Sequence, residues 1–311
     1  MATLAPPRRP LLTRVSTAVA RRRWLRLLLM LGPPAVWLVV VYLGSLFSLL
    51  AQSFFVLDDF TGVVERTFSL DTWQRFVTRS NITITLRTVG MATAVTLASV
   101  AVAFPLSYYV ARFARGRIKA LLVLGALLPL WSSYLVRVYA WKTILSNEGA
   151  INWVVERIGL DGLVRALLAA PVVGGPSLSA SMIGQWMVFL YIWLPYMVLP
   201  IIAAVEKIPP SLLEASADLG ARSRVTFRKV IWPLAVPGVI AGSIFTFSLT
   251  LGDYIIPQII GNSSPFIGLA IYSYQGVAGD LPQAAAFSFV PMGIMAIYLT
   301  LARKTGAFEN I

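Results

Sequence analysis

The chain alternates between long runs without charge and short segments dense in arginine and lysine. No charged residue occurs from Leu27 to Phe55, nor from Ala166 to Val205. A bilayer hydrocarbon core of about 30 Å takes roughly 20 apolar helical residues to cross, so this pattern predicts membrane spans. The first runs from Leu27 to about Ala51 and is interrupted early by Gly32, Pro33 and Pro34. It is too long for a signal-peptide core and lacks an A-x-A cleavage site, so it is expected to stay attached. A second span fits Ile82 to Val110, with Arg87 near its start, and a third fits Ala120 to Ala140, with Arg137 near its end. The turn-forming run Pro171 to Ser177 splits the second uncharged stretch and leaves a fourth helix from Ser181 to Val205. A fifth is expected from Pro237 to Ile256, containing Asp253, and a sixth from Leu281 to Ala302.

Composition agrees with six spans. Of 311 residues, 58% are hydrophobic and only 13% charged, against about 25% charged in soluble domains. Cysteine and histidine are both absent. That removes disulfides, thiolate nucleophiles, Cys/His metal sites and every His-based catalytic triad. The net charge of +13 could point to nucleic acid, but the cations are not spread evenly. The N-terminal arm, the loops after spans two and four, and the tail hold 18 of them, whereas the opposite loops hold six. The positive-inside rule then places both termini in the cytoplasm, and nucleic acid drops out as a partner. The arm from Thr13 to Arg26 either stops translocation or lies as an amphipathic helix on anionic membrane lipid.

The loop between spans four and five carries more structure than a connector needs. Ser211 and Glu214 have the S-x-x-E spacing of a capping box, and the Pro209-Pro210 pair marks the start of a helix. Gly220 suits the left-handed position just past its end. Ser223 is placed to cap a second short helix, which Pro233 is expected to terminate. Leu212, Leu213, Leu219 and Phe227 remain available for a partner.

This loop resembles the EAA motif of permease subunits in binding-protein-dependent ABC importers. Glu214, Ala215 and Ser216 fill the first part, Gly220 falls in place, and Pro233 closes the match. Val230 and Trp232 replace the usual Ile and Leu. The resemblance implies an all-α membrane protein with the six-helix type I importer permease fold in a prokaryotic plasma membrane. Its parts would be a basic arm (1–26), the first helix (27–51), an extracellular segment (52–81), a five-helix core (82–302) with coupling loop 206–236, and a tail (303–311). Leu128 to Trp141, Ser146 to Asn152 and Leu251 to Gly261 are similar to segments of spermidine/putrescine-type permeases. The expected cargo is therefore a small cationic solute, with another small solute as the alternative.

No G-x-x-x-x-G-K-[ST] loop exists in the chain, so it lacks the usual phosphate cradle. The resemblance implies no bound cofactor or metal, with ATP and Mg used by two copies of a separate ATPase subunit. It also implies a second, homologous permease and an extracellular solute-binding protein. A secondary transporter is the rival class, but such proteins gather ionisable groups at mid-membrane. Here only Arg87, Arg137 and Asp253 fall within the expected spans. Asp253 could pair with either arginine or offer a negative site to a passing cation. Trp131, Tyr134, Tyr139 and Trp141 form either an interfacial belt or an aromatic lining for an amine. Tyr254, beside Asp253, joins Trp131 and Tyr134 as a candidate for the pathway.

Overall fold

The computed structural model describes residues 23–58, 60–262 and 264–304. The expected arm 1–26 and tail 303–311 fall almost entirely outside the described residues. Helix α1 (Trp24–Gln52) is continuous through its two prolines and carries a π-helical stretch at Leu38–Leu43. Its side chains are almost all exposed, as suits a helix whose surroundings are lipid. Strands β1 (Val56–Leu57) and β2 (Val64–Glu65) form a small antiparallel hairpin, and α2 (Asp71–Phe76) follows.

Helix α3 (Arg79–Arg112) is the second span. Thr78 caps it, its side chain accepting from the Asn81 N–H at 3.3 Å. Thr85, Thr88 and Thr96 each donate back to the carbonyl four residues earlier, so their hydroxyls are satisfied within the helix.

The expected third span, Ala120 to Ala140, is not one helix. Helix α4 (Gly116–Leu127) passes into a 3-10 turn at Leu128–Trp131, and α5 (Tyr134–Ile144) leaves at an angle of 97°. Pro129 and the extended backbone of Ser132 explain the break, because proline removes a helical donor and disfavours helix in the residue before it. Short helices α6 (Ala150–Arg157) and α7 (Asp161–Leu168) follow.

Helix α8 (Met182–Glu206), the fourth span, begins as expected at Ser181, whose hydroxyl accepts from the Gly184 N–H at 3.1 Å. It is the centre of the bundle and packs against both α3 and the fifth span. Its buried face includes Val188, Ile192, Met197, Ile201 and Val205. After α9 (Pro210–Asp218), helix α10 runs unbroken as Ser223–Gly252. It starts 14 residues before the expected Pro237, and it ends before Asp253. Pro233 does not terminate it. A π-helical stretch at Phe227–Ile231 precedes the proline, and this wider winding absorbs the missing N–H within a continuous helix.

Close packing of α10 on α8 depends on Gly238 and Gly242. A Cβ on Gly238 would lie 2.4 Å from the Ala204 Cβ, and one on Gly242 would lie 2.7 Å from the Met197 sulfur. The pair has the G-x-x-x-G spacing that, in an apolar run, signals close helix approach. Helices α11 (Ile255–Ile259) and α12 (Ile267–Gly276) were not expected and are too short to span. Helix α13 (Leu281–Lys304) is the last span and touches the end of α1.

Candidate functional site

Two sites stand at opposite ends of α10. The first is the hairpin formed by α9, Gly220 and the start of α10. Gly220 has φ +70°, the left-handed conformation foreseen for it. The Gly220 N–H donates to Ala217 O at 2.8 Å and the Ala221 N–H to Ser216 O at 3.1 Å. That pair of bonds is a Schellman motif, which satisfies the last carbonyls of α9.

The expected capping box does not form. Pro209 is the extended residue before the helix and Pro210 its first residue, and no side chain caps it. Proline at the first helical position needs no N–H partner and brings a suitable φ, so Ser211 sits inside the helix. Ser223 is likewise the first helical residue, after extended Arg222, and does not cap.

Ser216 instead ties the arms together, its hydroxyl 2.8 Å from that of Thr226. The base of the hairpin is fixed by Arg112, which donates to Ile208 O at 2.9 Å, and by a Lys119–Glu206 ion pair at 2.7 Å. Phe227 lies edge-on to Phe104 at 5.7 Å between ring centres while remaining partly exposed, and Trp232 packs on the same ring at 5.2 Å. Glu214 and Ala215 face solvent beside Leu212, and Leu219 is 88% exposed. The result is a knuckle tied at its base, with Leu212 and Leu219 exposed on its far side.

The second site lies where α10 ends. The backbone is extended at Asp253, which turns its carboxylate back onto α11. Asp253 Oδ1 accepts from the N–H groups of Ile255 at 2.8 Å and Ile256 at 3.0 Å, the pattern of an N-cap. Its Oδ2 accepts from the Tyr134 hydroxyl at the start of α5. The Tyr134 ring stacks on Trp193 at 5.8 Å, and the Arg137 guanidinium carbon lies 5.9 Å from its centre.

Among the described residues, neither Arg137 nor Arg87 makes an ion pair with Asp253. Of the two roles open to Asp253, the arginine pair is therefore not formed. The helix ends one residue before Asp253, so its carboxylate is spent on capping and on tyrosine instead. Arg87 donates to Pro265 O at 3.3 Å, while Nε and Nη1 of Arg137 are buried without a hydrogen-bond partner. Trp131 stands apart at the break and is 82% exposed. Tyr254 stacks on Tyr272 at 4.9 Å. Trp193 is buried, and Tyr191 packs on Trp141 at 5.1 Å, so these fourth-span aromatics are packing groups.

Comparison with known proteins converges on one family. The family model described as binding-protein-dependent transport system inner membrane component matches residues 166–304. The inner membrane ABC transporter permease protein YdcU of Escherichia coli (strain K12) is 48% identical over 311 residues, covering 100% of this chain and 99% of the relative. The spermidine/putrescine transport system permease protein PotB of the same organism is 30% identical over 276 residues, covering 88% of this chain and 95% of PotB. Among solved structures, a bacterial alginate ABC transporter in complex with an alginate pentasaccharide-bound periplasmic protein superposes with a TM-score of 0.70. It is 16% identical and covers 93% of this chain and 96% of that one, so the likeness speaks for the fold. The chain belongs to the binding-protein-dependent transport system inner membrane component family, as a multi-pass inner-membrane permease of the ABC importer class.

Proposed function

We propose that this permease forms half of the translocation pathway for a small polyamine-like cation such as spermidine or putrescine. Its partners in this reading are two copies of an ATPase subunit, a second related permease and an extracellular solute-binding protein. The ATPase pair binds and hydrolyses ATP with Mg, and this chain binds no cofactor itself. Both termini and the hairpin lie in the cytoplasm, and Glu214, Ala215, Ser216, Gly220 and Pro233 belong to the unit that meets the ATPase.

The observation that carries the coupling role is the Gly220-centred knuckle. Its base is locked to α3, α4 and α8 by Arg112 and by the Lys119–Glu206 pair. Movement imposed on its apolar tip is therefore passed to three spans at once. ATP-driven closure of the ATPase pair pushes the knuckles together, and the bundle answers as a two-state element biased from both ends. The polyamine reading is supported by the likeness to PotB along 88% of this chain and by aromatic groups around an anionic carboxylate at the far end of α10. The test is ATP hydrolysis by the purified complex, with binding protein present, over a panel of amines and amino acids. Stimulation by spermidine or putrescine alone supports the substrate class; stimulation by an anionic solute instead overturns it and leaves the coupling role standing.

A further inference from the structure

Helix α10 separates the knuckle from Asp253 by 30 residues, about 45 Å at 1.5 Å per residue. The site around Asp253 is thus at the end of the pathway remote from the ATPase. It lies beside a break in the third span, where α4 stops and α5 departs at 97°. Non-helical backbone at membrane depth is tolerated only inside protein or along a wet cavity. Leu128, Trp131, Ser132 and Ser133 at this break are exposed, uncovered by any other part of the described chain.

Beside this break both carboxylate oxygens of Asp253 are occupied. Oδ1 is held by two backbone N–H groups and Oδ2 by the Tyr134 hydroxyl. Three donors fill most of the carboxylate's roughly four acceptor sites, so a cation that is to take Oδ2 in full must displace one of them. Two of the three are backbone and fixed by α11, whereas the third is the tip of one side chain. Tyr134 also has somewhere else to go. Arg137 follows one turn later on the same helix face, packed on the Tyr134 ring, with Nε and Nη1 buried and unpartnered.

We propose that Tyr134 and Asp253 form a latch that the solute opens. An ammonium group of the cargo displaces the Tyr134 hydroxyl from Oδ2, and the phenol oxygen then accepts from the free N–H groups of Arg137. The latch joins the broken third span to the end of the fifth, so its release frees α5 from α10 and reports the presence of cargo to the bundle. The carboxylate keeps a donor in both states. With the latch closed, the carboxylate has a neutral hydroxyl donor; with it open, it has a cation. This inference rests on the cationic-solute reading for its trigger, but the latch itself stands on the geometry.

The experiment compares Tyr134→Phe and Asp253→Asn in the full complex, reconstituted with its ATPase and binding protein, with spermidine as the probe. Phenylalanine keeps the ring stack on Trp193 and removes the donor. Loss of a hydrogen bond to a charged group shifts an equilibrium by on the order of tenfold or more, so cargo-free ATP hydrolysis should rise by about that factor. Asparagine keeps the shape and removes the charge that draws the cation, so stimulation by spermidine should fall by about tenfold or more. Unchanged cargo-free hydrolysis in an assembled Tyr134→Phe complex overturns the latch. Undiminished stimulation in Asp253→Asn overturns the trigger. If spermidine fails to stimulate the unaltered complex, the cationic-solute reading fails, while the Tyr134→Phe comparison still decides the latch.

Discussion

Replacing Gly220 by valine isolates the contribution of the knuckle. Nothing lies within 4 Å of where a Cβ on Gly220 would stand, so the substitution creates no clash. Its cost is conformational: at φ +70° a side chain meets its own carbonyl, at about 1–2 kcal/mol. The chain can relieve that strain by leaving the left-handed turn, but it then loses the bonds from Gly220 to Ala217 O and from Ala221 to Ser216 O. An energy of that size is a factor of roughly 5–30 in population. Because α9 touches the rest of the chain mainly through the start of α10, the loss falls on how the knuckle is presented. The expected outcome is a 5- to 30-fold weaker affinity for the ATPase subunit, with membrane insertion and thermal stability of the bundle retained. The assay is titration of the ATPase against the permease in nanodiscs. Gly90→Ala is the control, since it has the same open surroundings without a positive φ. Wild-type affinity in Gly220→Val would refute the reasoning and reduce the hairpin to a connector.

Gly238→Leu should be far more damaging, because the Ala204 Cβ and Pro200 O sit within 2.6 Å of the new Cβ; overpacking of about 1–3 kcal/mol or more should appear as a lower melting temperature in detergent. Thr88→Val removes the acceptor for the buried Ile267 N–H, now 3.0 Å away, and should cost about 1–3 kcal/mol of stability, read by the same thermal shift. Glu206→Gln breaks an ion pair whose partners are each 40% exposed, so its effect on stability should stay below about 1 kcal/mol. Because the chain has no cysteine, single cysteines at Ser223 and Ser264 report topology: the first should label only from the cytoplasm and the second only from outside, and labelling of Ser223 in intact cells would overturn the orientation.

Much of this architecture is written in hydropathy. Charge-free runs locate the spans because the bilayer imposes their length, and Ser181 marks the start of α8 because a helix entering lipid needs its first N–H groups satisfied. Gly220 is legible for the same reason: few residues other than glycine tolerate its turn. The failures have a common cause. Hydropathy is blind to direction, so the apolar run Ala120 to Ala140 hides a right-angled break, and the run from Pro237 to Ile256 hides the helix end at Gly252. The Ser211–Glu214 spacing satisfies a local rule that Pro210 pre-empts by starting the helix two residues earlier. For Asp253 the sequence leaves open an arginine partner or a passing cation. Its partner, Tyr134, lies 119 residues away in sequence and is brought close by the break that hydropathy concealed.

The account stands most directly on one uptake measurement with labelled spermidine. Proteoliposomes holding this chain with its second permease, ATPase and binding protein should accumulate the solute only when ATP is present. Vesicles holding this chain alone should accumulate none under a proton or sodium gradient. Gradient-driven uptake by the chain alone would contradict the account and make it a secondary transporter.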